Sequence, residues 1–305
     1  MKVISLDFGG STVDAVLWNG DLIESIKTYE SKDVPALNFE SFFEFSGISL
    51  SGVDKIFVTG GKSRFFADSV NGVPVVKVSE IDAIGVEYGI RNTECREEVE
   101  GSCRNSKFGI RYSNRLVVSM GTGTCMVSVK EGMRHEAEGR SRRSDIVIKH
   151  IGGTGVGGGT FVGLGRELLG VSDVDELLKI AAKGSSKKVD VSVSDIVGGD
   201  IGRVSGEATA SNFGRLRDEI KFKKEDLAAG IVNLIGQTIG ISAVFAAKSE
   251  GLSSIVLIGK LTKADAILAV VKDIIEGYGL EVFVPENAEY ATAVGAKFAG
   301  ERLIG

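Results

Sequence analysis

Among its 305 residues the chain has only three cysteines, three prolines, two histidines and one tryptophan. Cys95, Cys103 and Cys125 stand in unrelated settings, which argues against a disulfide framework and against a cysteine-based metal site. His135 and His150 add no ligand pattern, so any metal the protein uses is expected to arrive with a ligand. No uninterrupted apolar stretch reaches the roughly 18 residues of a membrane helix, and no membrane partner is expected. Met1 leads straight into VISLDF, a strand pattern, without the basic start or cleavage site of a leader. The expected location is therefore cytoplasmic. A net charge of −5 leaves no generally basic surface, which argues against nucleic acid as a partner. The content, 43% hydrophobic and 25% charged, is that of a globular chain with room for one large domain or two ordinary ones.

What the chain has in abundance is glycine, 41 residues of it. The densest run, KHIGGTGVGGGTFVGLG at 149–165, holds eight glycines in seventeen positions. It lies between an apolar segment, Ile146–Ile148, and a helix-like one, Thr160–Leu169. Glycine admits close backbone approach at an entropic cost, so such a cluster is either a flexible joint or a cradle. Elsewhere the pattern is mixed α/β. VISLDFGGSTVDAVLW reads as strand, Gly-Gly turn, strand, and RLVVSMGTGTCMVSVKEG repeats that plan around Gly-Thr-Gly-Thr. KIFVTGG, VPVVKV, SSIVLIG and LEVFV read as further strands. Helices are expected after Val78, over 224–250, up to Gly277 and at the C-terminus. Residues 91–115 are polar and irregular, and read as an insertion or joint.

Two phosphate-binding patterns can be tested against the glycines. The motif G-x-x-x-x-G-K-[ST] fails at GGKS, Gly60–Ser63, because position 56 is Ile. The dinucleotide fingerprint matches Gly153, Gly155 and Gly158, but the expected second strand with its acidic end is absent: VDELLKIAAKG there is helical. The paired glycine-tipped hairpins instead resemble the phosphate hairpins of the actin-like, sugar-kinase-like superfamily. Asp7-Phe8-Gly9-Gly10-Ser11 resembles the first, Gly121-Thr122-Gly123-Thr124 the second, and Ile258-Gly259-Lys260 the adenosine segment.

Within that superfamily the chain is similar to the type II and eukaryotic pantothenate kinases. MGTGTCMVSV, HIGGTGVGGGTFVGLGRELLG, VSDIVGGDIGRVSGEATASNFGR (194–215), SEIDAIGVEYG and EYATAVGAKFAG carry the resemblance. It implies an α/β fold of two actin-like (ribonuclease H-like) ATPase domains, 1–114 and 115–305, with the nucleotide in the cleft between them. It also implies ATP-dependent phosphorylation of pantothenate to 4'-phosphopantothenate, the first step of coenzyme A synthesis. Asp7 would hold Mg²⁺ and Glu80 would accept the hydroxyl proton, with Asp14 and Asp82 the other acids nearby. Gly9, Gly10, Ser11, Gly121, Thr122, Gly123, Thr124, Gly157, Gly158, Gly159 and Gly259 would hold the nucleotide, and His150, Gly153 and Thr154 the substrate. A homodimer, with inhibition by coenzyme A or its thioesters, is expected on the same ground.

Two positions depart from the family pattern. His150 stands where these kinases carry an arginine, and a largely neutral imidazole does not replace a permanent two-pronged cation. Lys149 or the RSRR cluster (Arg140, Arg142, Arg143) are candidates to supply the charge. Lys260 stands where the relatives have small or amide residues. These departures leave two other readings open: a kinase of this fold with another hydroxylated substrate, such as a sugar or a pantothenate relative, and a nucleotide- or acyl-CoA-binding sensor with little catalysis.

Overall fold

The computed structural model describes residues 1–34, 39–86, 114–132, 146–202, 205–217 and 221–304. The RSRR cluster, most of the polar 91–115 segment, His135, Cys95 and Cys103 lie outside the described residues. Two sheets are built on one plan. In the first, β1 (Lys2–Phe8), β2 (Thr12–Asn19) and β3 (Leu22–Glu30) form an antiparallel meander. After α1 (Phe39–Ser46), β4 (Lys55–Thr59) adds parallel to β1. The short β5 (Ser69–Val70) and then β6 (Val73–Lys77) follow, completing the order β3-β2-β1-β4-β6-β5. The helix α2 (Glu80–Val86) comes next.

The second sheet repeats this. β7 (Arg115–Met120), β8 (Thr124–Glu131) and β9 (Ile146–Thr154) form the meander. The helices α3 (Gly158–Leu169) and α4 (Val174–Ala181) follow, then a small ribbon of β10 (Val191–Ser192) and β11 (Thr209–Ser211) enclosing α5 (Val193–Val197). Beyond them come α6 (Lys224–Ser249), β12 (Ser254–Ile258), α7 (Asp265–Gly277), β13 (Glu281–Phe283) and α8 (Ala291–Ile304). β12 pairs parallel to β7 and β13 to β12, giving the order β13-β12-β7-β8-β9. In both sheets the first strand of the meander is central, flanked on both sides. That is why VISLDF and RLVVSM are apolar on both faces rather than alternating.

Four clusters of buried side chains fill the layers. Phe42 and Phe43 of α1 cover one face of the first sheet against Ile4, Leu6 and Ile56. On its other face lie Trp18 and Phe57, against Ala293, Ala296 and Phe298 of α8. The second sheet packs one face on α6, α7, α3 and α4 through Val118, Ile239, Val271 and Phe161. Its other face receives Ile84 of α2 against Val117, Val127 and Val256. The C-terminal helix thus covers the N-terminal sheet, α2 reaches across to the second sheet, and the two helices pack on each other. This exchange sandwiches small-residue α8, with buried Ala291, Ala293, Gly295, Ala296 and Ala299, between the halves.

By length and hydropathy α6 would suffice to cross a membrane, and among the described residues no other helix would. Its Ile231, Ile235, Ile239, Ala243 and Ala247 are instead fully buried in the second core. The expected glycine loop is short. β9 runs to Thr154 and α3 begins at Gly158, so three residues connect them, and the remaining glycines lie in strand and helix.

Candidate active site

The two glycine-tipped hairpins meet at one end of the cleft. The hydroxyls of Ser11 and Thr122 share a hydrogen bond of 2.8 Å, joining tips 111 residues apart. Ser31 braces the first hairpin: its amide donates to the Ser11 carbonyl at 2.8 Å and its hydroxyl to the Gly9 carbonyl at 3.0 Å. Among the described residues, the amides of Gly9, Gly10, Ser11, Thr122 and Gly123 have no acceptor. A row of unengaged N–H groups in a tight turn is an anion-binding nest.

Gly157–Gly159 pack against the second hairpin. The amides of Gly158 and Gly159 donate to the carbonyls of Gly121 and Thr122 at 2.8 and 2.9 Å, so they hold the second hairpin. A Cβ on Gly157 would stand 2.6 Å from the Thr122 oxygen and 2.7 Å from the Gly123 Cα. Glycine is required there because backbone approaches backbone. The Thr124 hydroxyl completes the seam by donating to the Val156 carbonyl at 2.8 Å. Gly153 pairs with Cys125, and Thr154 with Thr124, in the β8–β9 ladder. The Thr154 hydroxyl accepts from the Val156 amide at 3.1 Å.

The strand register brings the acidic groups together. Thr28 pairs with Asp14, Asp14 with Asp7 and Asp7 with Thr59, so four polar side chains from β3, β2, β1 and β4 share one face of the sheet. Glu80 opens α2 on the same side of the cleft. The pKa of Asp7 is raised to about 8, first by burial and then by the negative charges of Glu80 and Asp14, partly offset by Lys260. Burial also raises that of Glu80, which makes it a better proton acceptor at neutral pH than an ordinary carboxylate. The charge of Glu80 reaches the second sheet too. Burial, then Glu80, push the Cys125 thiol up to about 11. Asp82 lies on the first turn of α2.

Surplus negative charge around Asp7 is what a divalent cation would relieve, and the residues present fit Mg²⁺ in one specific way. Among the described residues no group of three or more His, Cys, Asp or Glu could cage an ion. Mg²⁺ commonly needs only one or two carboxylates when waters and substrate phosphates complete its shell. Asp7, beside the amide nest, offers that arrangement.

His150 is exposed and pairs with Val127, which puts it on the face that carries Cys125, Val127 and Ile148 and packs on α2. Its imidazole therefore faces the Glu80 side of the cleft. Lys149 points the other way and is bound at 2.9 Å to Glu250, which Lys130 also holds at 2.7 Å. Its charge is committed away from the cleft. Gly259 joins β12 to the turn bearing Lys260, with φ +93° and its Cβ position 2.6 Å from the Met120 oxygen. The stretch 194–215 is tied to α6: Asn233 donates to Asp190 and Thr209 at 2.7 and 3.1 Å, and Gln237 to Thr209 at 2.8 Å. Neither this network nor the Lys260–Asp14 pair (2.7 Å) was legible in local sequence, since both depend on contacts between distant strands and helices.

Two sheets of one topology, a glycine-tipped hairpin from each and a carboxylate ending β1 define an actin-like, sugar-kinase-like ATPase fold. Solved structures bear out the fold. The chain is similar over its whole length to the activator of the 2-hydroxyisocaproyl-CoA dehydratase from Clostridium difficile with bound ADPNP, covering 97% of that chain (TM-score 0.56, 19% identity). It is also similar to a ROK family glucokinase from Streptomyces griseus in complex with glucose and AMPPNP, over 99% of this chain and 100% of that one (TM-score 0.52, 12% identity).

The Fumble family model matches residues 21–296, and the chain belongs to that family. Its curated relatives include the type II pantothenate kinase of Staphylococcus aureus (strain MRSA252), 25% identical over 99% of this chain and 100% of that one. The type II pantothenate kinase of Bacillus cereus (strain G9842) is 25% identical over 85% of this chain and 83% of its own length.

Proposed function

We propose that the protein is an ATP-dependent kinase that phosphorylates pantothenate to 4'-phosphopantothenate, the entry reaction of coenzyme A synthesis. The observation that carries this reading is the placement of Asp7 and Glu80 beside a nest of unengaged amides in a chain of the Fumble family. The amides of Gly9, Gly10 and Ser11 on one tip, with Thr122 and Gly123 on the other, would receive the β- and γ-phosphates. Gly158 and Gly159 would shape the second tip rather than touch the nucleotide. Gly259 would lie against the adenosine. Asp7 would hold Mg²⁺, which when bound neutralises charge on the β- and γ-oxygens.

Positioning and charge neutralisation are most of what phosphoryl transfer asks of a protein. The substrate hydroxyl oxygen bonds to the γ-phosphorus while the bond from that phosphorus to the β,γ-bridging oxygen breaks, releasing ADP. Glu80 takes the hydroxyl proton. Its raised pKa suits the role, because a stronger base shares the proton earlier in the transfer. His150, with Gly153 and Thr154 further along β9, would line the substrate side.

The exposed imidazole at position 150 favours one second reading, a kinase of the same chemistry acting on a different hydroxylated substrate, because it lacks the fixed charge that would grip a carboxylate. We further propose the functional division into units 1–114 and 115–305, the latter lending α8 to the first sheet. A homodimer in the cytoplasm, open to inhibition by coenzyme A or its thioesters, completes the reading. The test is Mg²⁺- and ATP-dependent phosphorylation of pantothenate, with sugars and pantothenate analogues alongside and Glu80→Gln as control. Turnover on pantothenate that falls about 10²- to 10⁴-fold in Glu80→Gln is expected. Turnover on another alcohol alone would overturn the substrate, and turnover on none would overturn the reaction.

A further inference from the structure

The ion pair between Lys260 and Asp14 crosses the cleft. Its partners are 246 residues apart, one on the turn after β12 and the other on β2. Three features mark Lys260 as a placed group rather than a surface lysine. The backbone that carries it is pinned, because Gly259 sits in a left-handed conformation against the Met120 carbonyl and its amide donates to the Ala288 carbonyl at 2.8 Å. The ammonium is held on two sides, by Asp14 at 2.7 Å with Thr28 at 3.3 Å, and by the Tyr290 ring, whose centroid is 4.1 Å away. Thr28 donates its own proton to Asp14 at 2.6 Å, so its lone pair is turned to the lysine.

The arrangement is also incomplete. An ammonium has three N–H donors; the adjacent oxygens of Asp14 and Thr28 engage it on one side and the Tyr290 ring on another, which leaves one donor. The Asp14 carboxylate is 7% exposed and committed, whereas the Lys260 side chain keeps 34% of its surface open. Its charge acts on Asp7, the neighbour of Asp14 across the β1–β2 ladder and the residue beside the amide nest. A cation held at that place, with one donor unspent, suits an anionic group entering between the hairpins.

We propose that Lys260 donates its remaining N–H to the terminal phosphoryl group of the bound nucleoside triphosphate, with Asp14 as the positioning residue that aims it. The inference rests on the kinase reading above, but not on the identity of the alcohol. It gives this protein a fixed cation contributed by the adenosine-side turn, where the β9 position facing α2 offers only an imidazole. The competing account is a clasp that merely ties the two halves together.

The test compares affinities for ADP and for the non-hydrolysable β,γ-imido analogue of ATP, by calorimetry, in wild type, Lys260→Gln, Lys260→Arg and Asp14→Asn, with kcat measured on the accepted alcohol. A charge-assisted contact to the terminal phosphoryl predicts that Lys260→Gln loses about tenfold or more of its preference for the analogue over ADP. Its kcat should fall about 10²- to 10³-fold. Lys260→Arg, which keeps the charge and the span to Asp14, should retain the preference. Asp14→Asn should lose part of it. In Lys260→Ala, added ethylamine should restore kcat in proportion to its concentration. Equal weakening of both nucleotides, or turnover within threefold of wild type, would overturn the proposal in favour of the clasp. Failure of wild type on pantothenate would sink the substrate reading alone, since the nucleotide preference is read without any alcohol present.

Discussion

Replacing Asp7 by asparagine should stabilise the nucleotide-free protein while abolishing its chemistry. Asp7 has its pKa raised from 3.8 to about 8 by burial and by Glu80 and Asp14. Between those values the folded protein binds a proton that the unfolded chain does not, so stability falls as pH rises across the window. The contribution of the neutral carboxyl is complete below about pH 4 and lost above about pH 8. At 1.36 kcal/mol per pH unit the full span is an upper bound of roughly 6 kcal/mol. Asp7 is only partly shielded from water, which lessens both the burial penalty and the repulsion, and about 1–3 kcal/mol should remain at alkaline pH. Asp7→Asn keeps the shape and removes the charge, so it does not titrate. Thermal melts without Mg²⁺ or nucleotide should therefore show the variant above wild type by about 2–8 °C at pH 8.5. The gap should close towards pH 4.5. Adding Mg²⁺ and ATP should raise wild type and leave the variant nearly unmoved, because a ligand stabilises only the state that binds it. A variant less stable than wild type at pH 8.5, or a gap that does not change with pH, would refute the idea that burial of Asp7, added to by the charges of Glu80 and Asp14, prepares the site for a cation.

The seam between the glycine segment and the second hairpin gives a steric prediction. Gly157→Ala would push a Cβ against three backbone atoms within 2.9 Å, none on a flexible side chain, and should cost about 2–3 kcal/mol in urea denaturation. Gly163→Ala, in the interior of α3 with nothing within 4 Å of the new methyl, should be neutral or stabilise by up to about 1 kcal/mol. Equal effects at the two sites would count against the close packing of the hairpin. The reach of the Glu80 charge can be read from Cys125, whose thiol is pushed up to about 11 by burial and by Glu80. Iodoacetamide should modify it slowly at pH 8, and Glu80→Gln should speed the reaction by lowering that pKa. Peptide mass mapping separates it from the other cysteines, and an unchanged rate would place Glu80 out of electrostatic contact with β8.

Local chemistry made several elements legible before any tertiary contact was known. Hairpins announce themselves by apolar strands around glycine turns, and β1–β2 and β7–β8 lie where VISLDFGGSTVDAVLW and RLVVSMGTGTCMVSVKEG put them. The amphipathic helix expected to end near Gly277 is α7, and the long apolar run is α6. β3 was not legible, because LIESIKTYE is an exposed edge strand of mixed polarity whose only strong signal is its pairing with β2. The glycine run misled in extent for a related reason: a strand can hold glycines where the ladder, rather than side chains, supplies the stabilisation, as β9 does at Gly152 and Gly153.

The two glycine tips, the acid near the end of the first strand, the helix carrying Glu80 and the family to which these belong are written in the residues themselves, since each is a short pattern set by backbone conformation or by residue type. Which groups share the cleft is set by packing in three dimensions. That packing aligns Asp7, Asp14 and Thr28 across three strands, turns Lys149 away to Glu250, gives the Gly158 and Gly159 amides to hairpin carbonyls and brings Lys260 to Asp14. Strand register and inter-sheet packing act between residues far apart in the chain, and the charges that make the site work are defined by distances that no local pattern encodes.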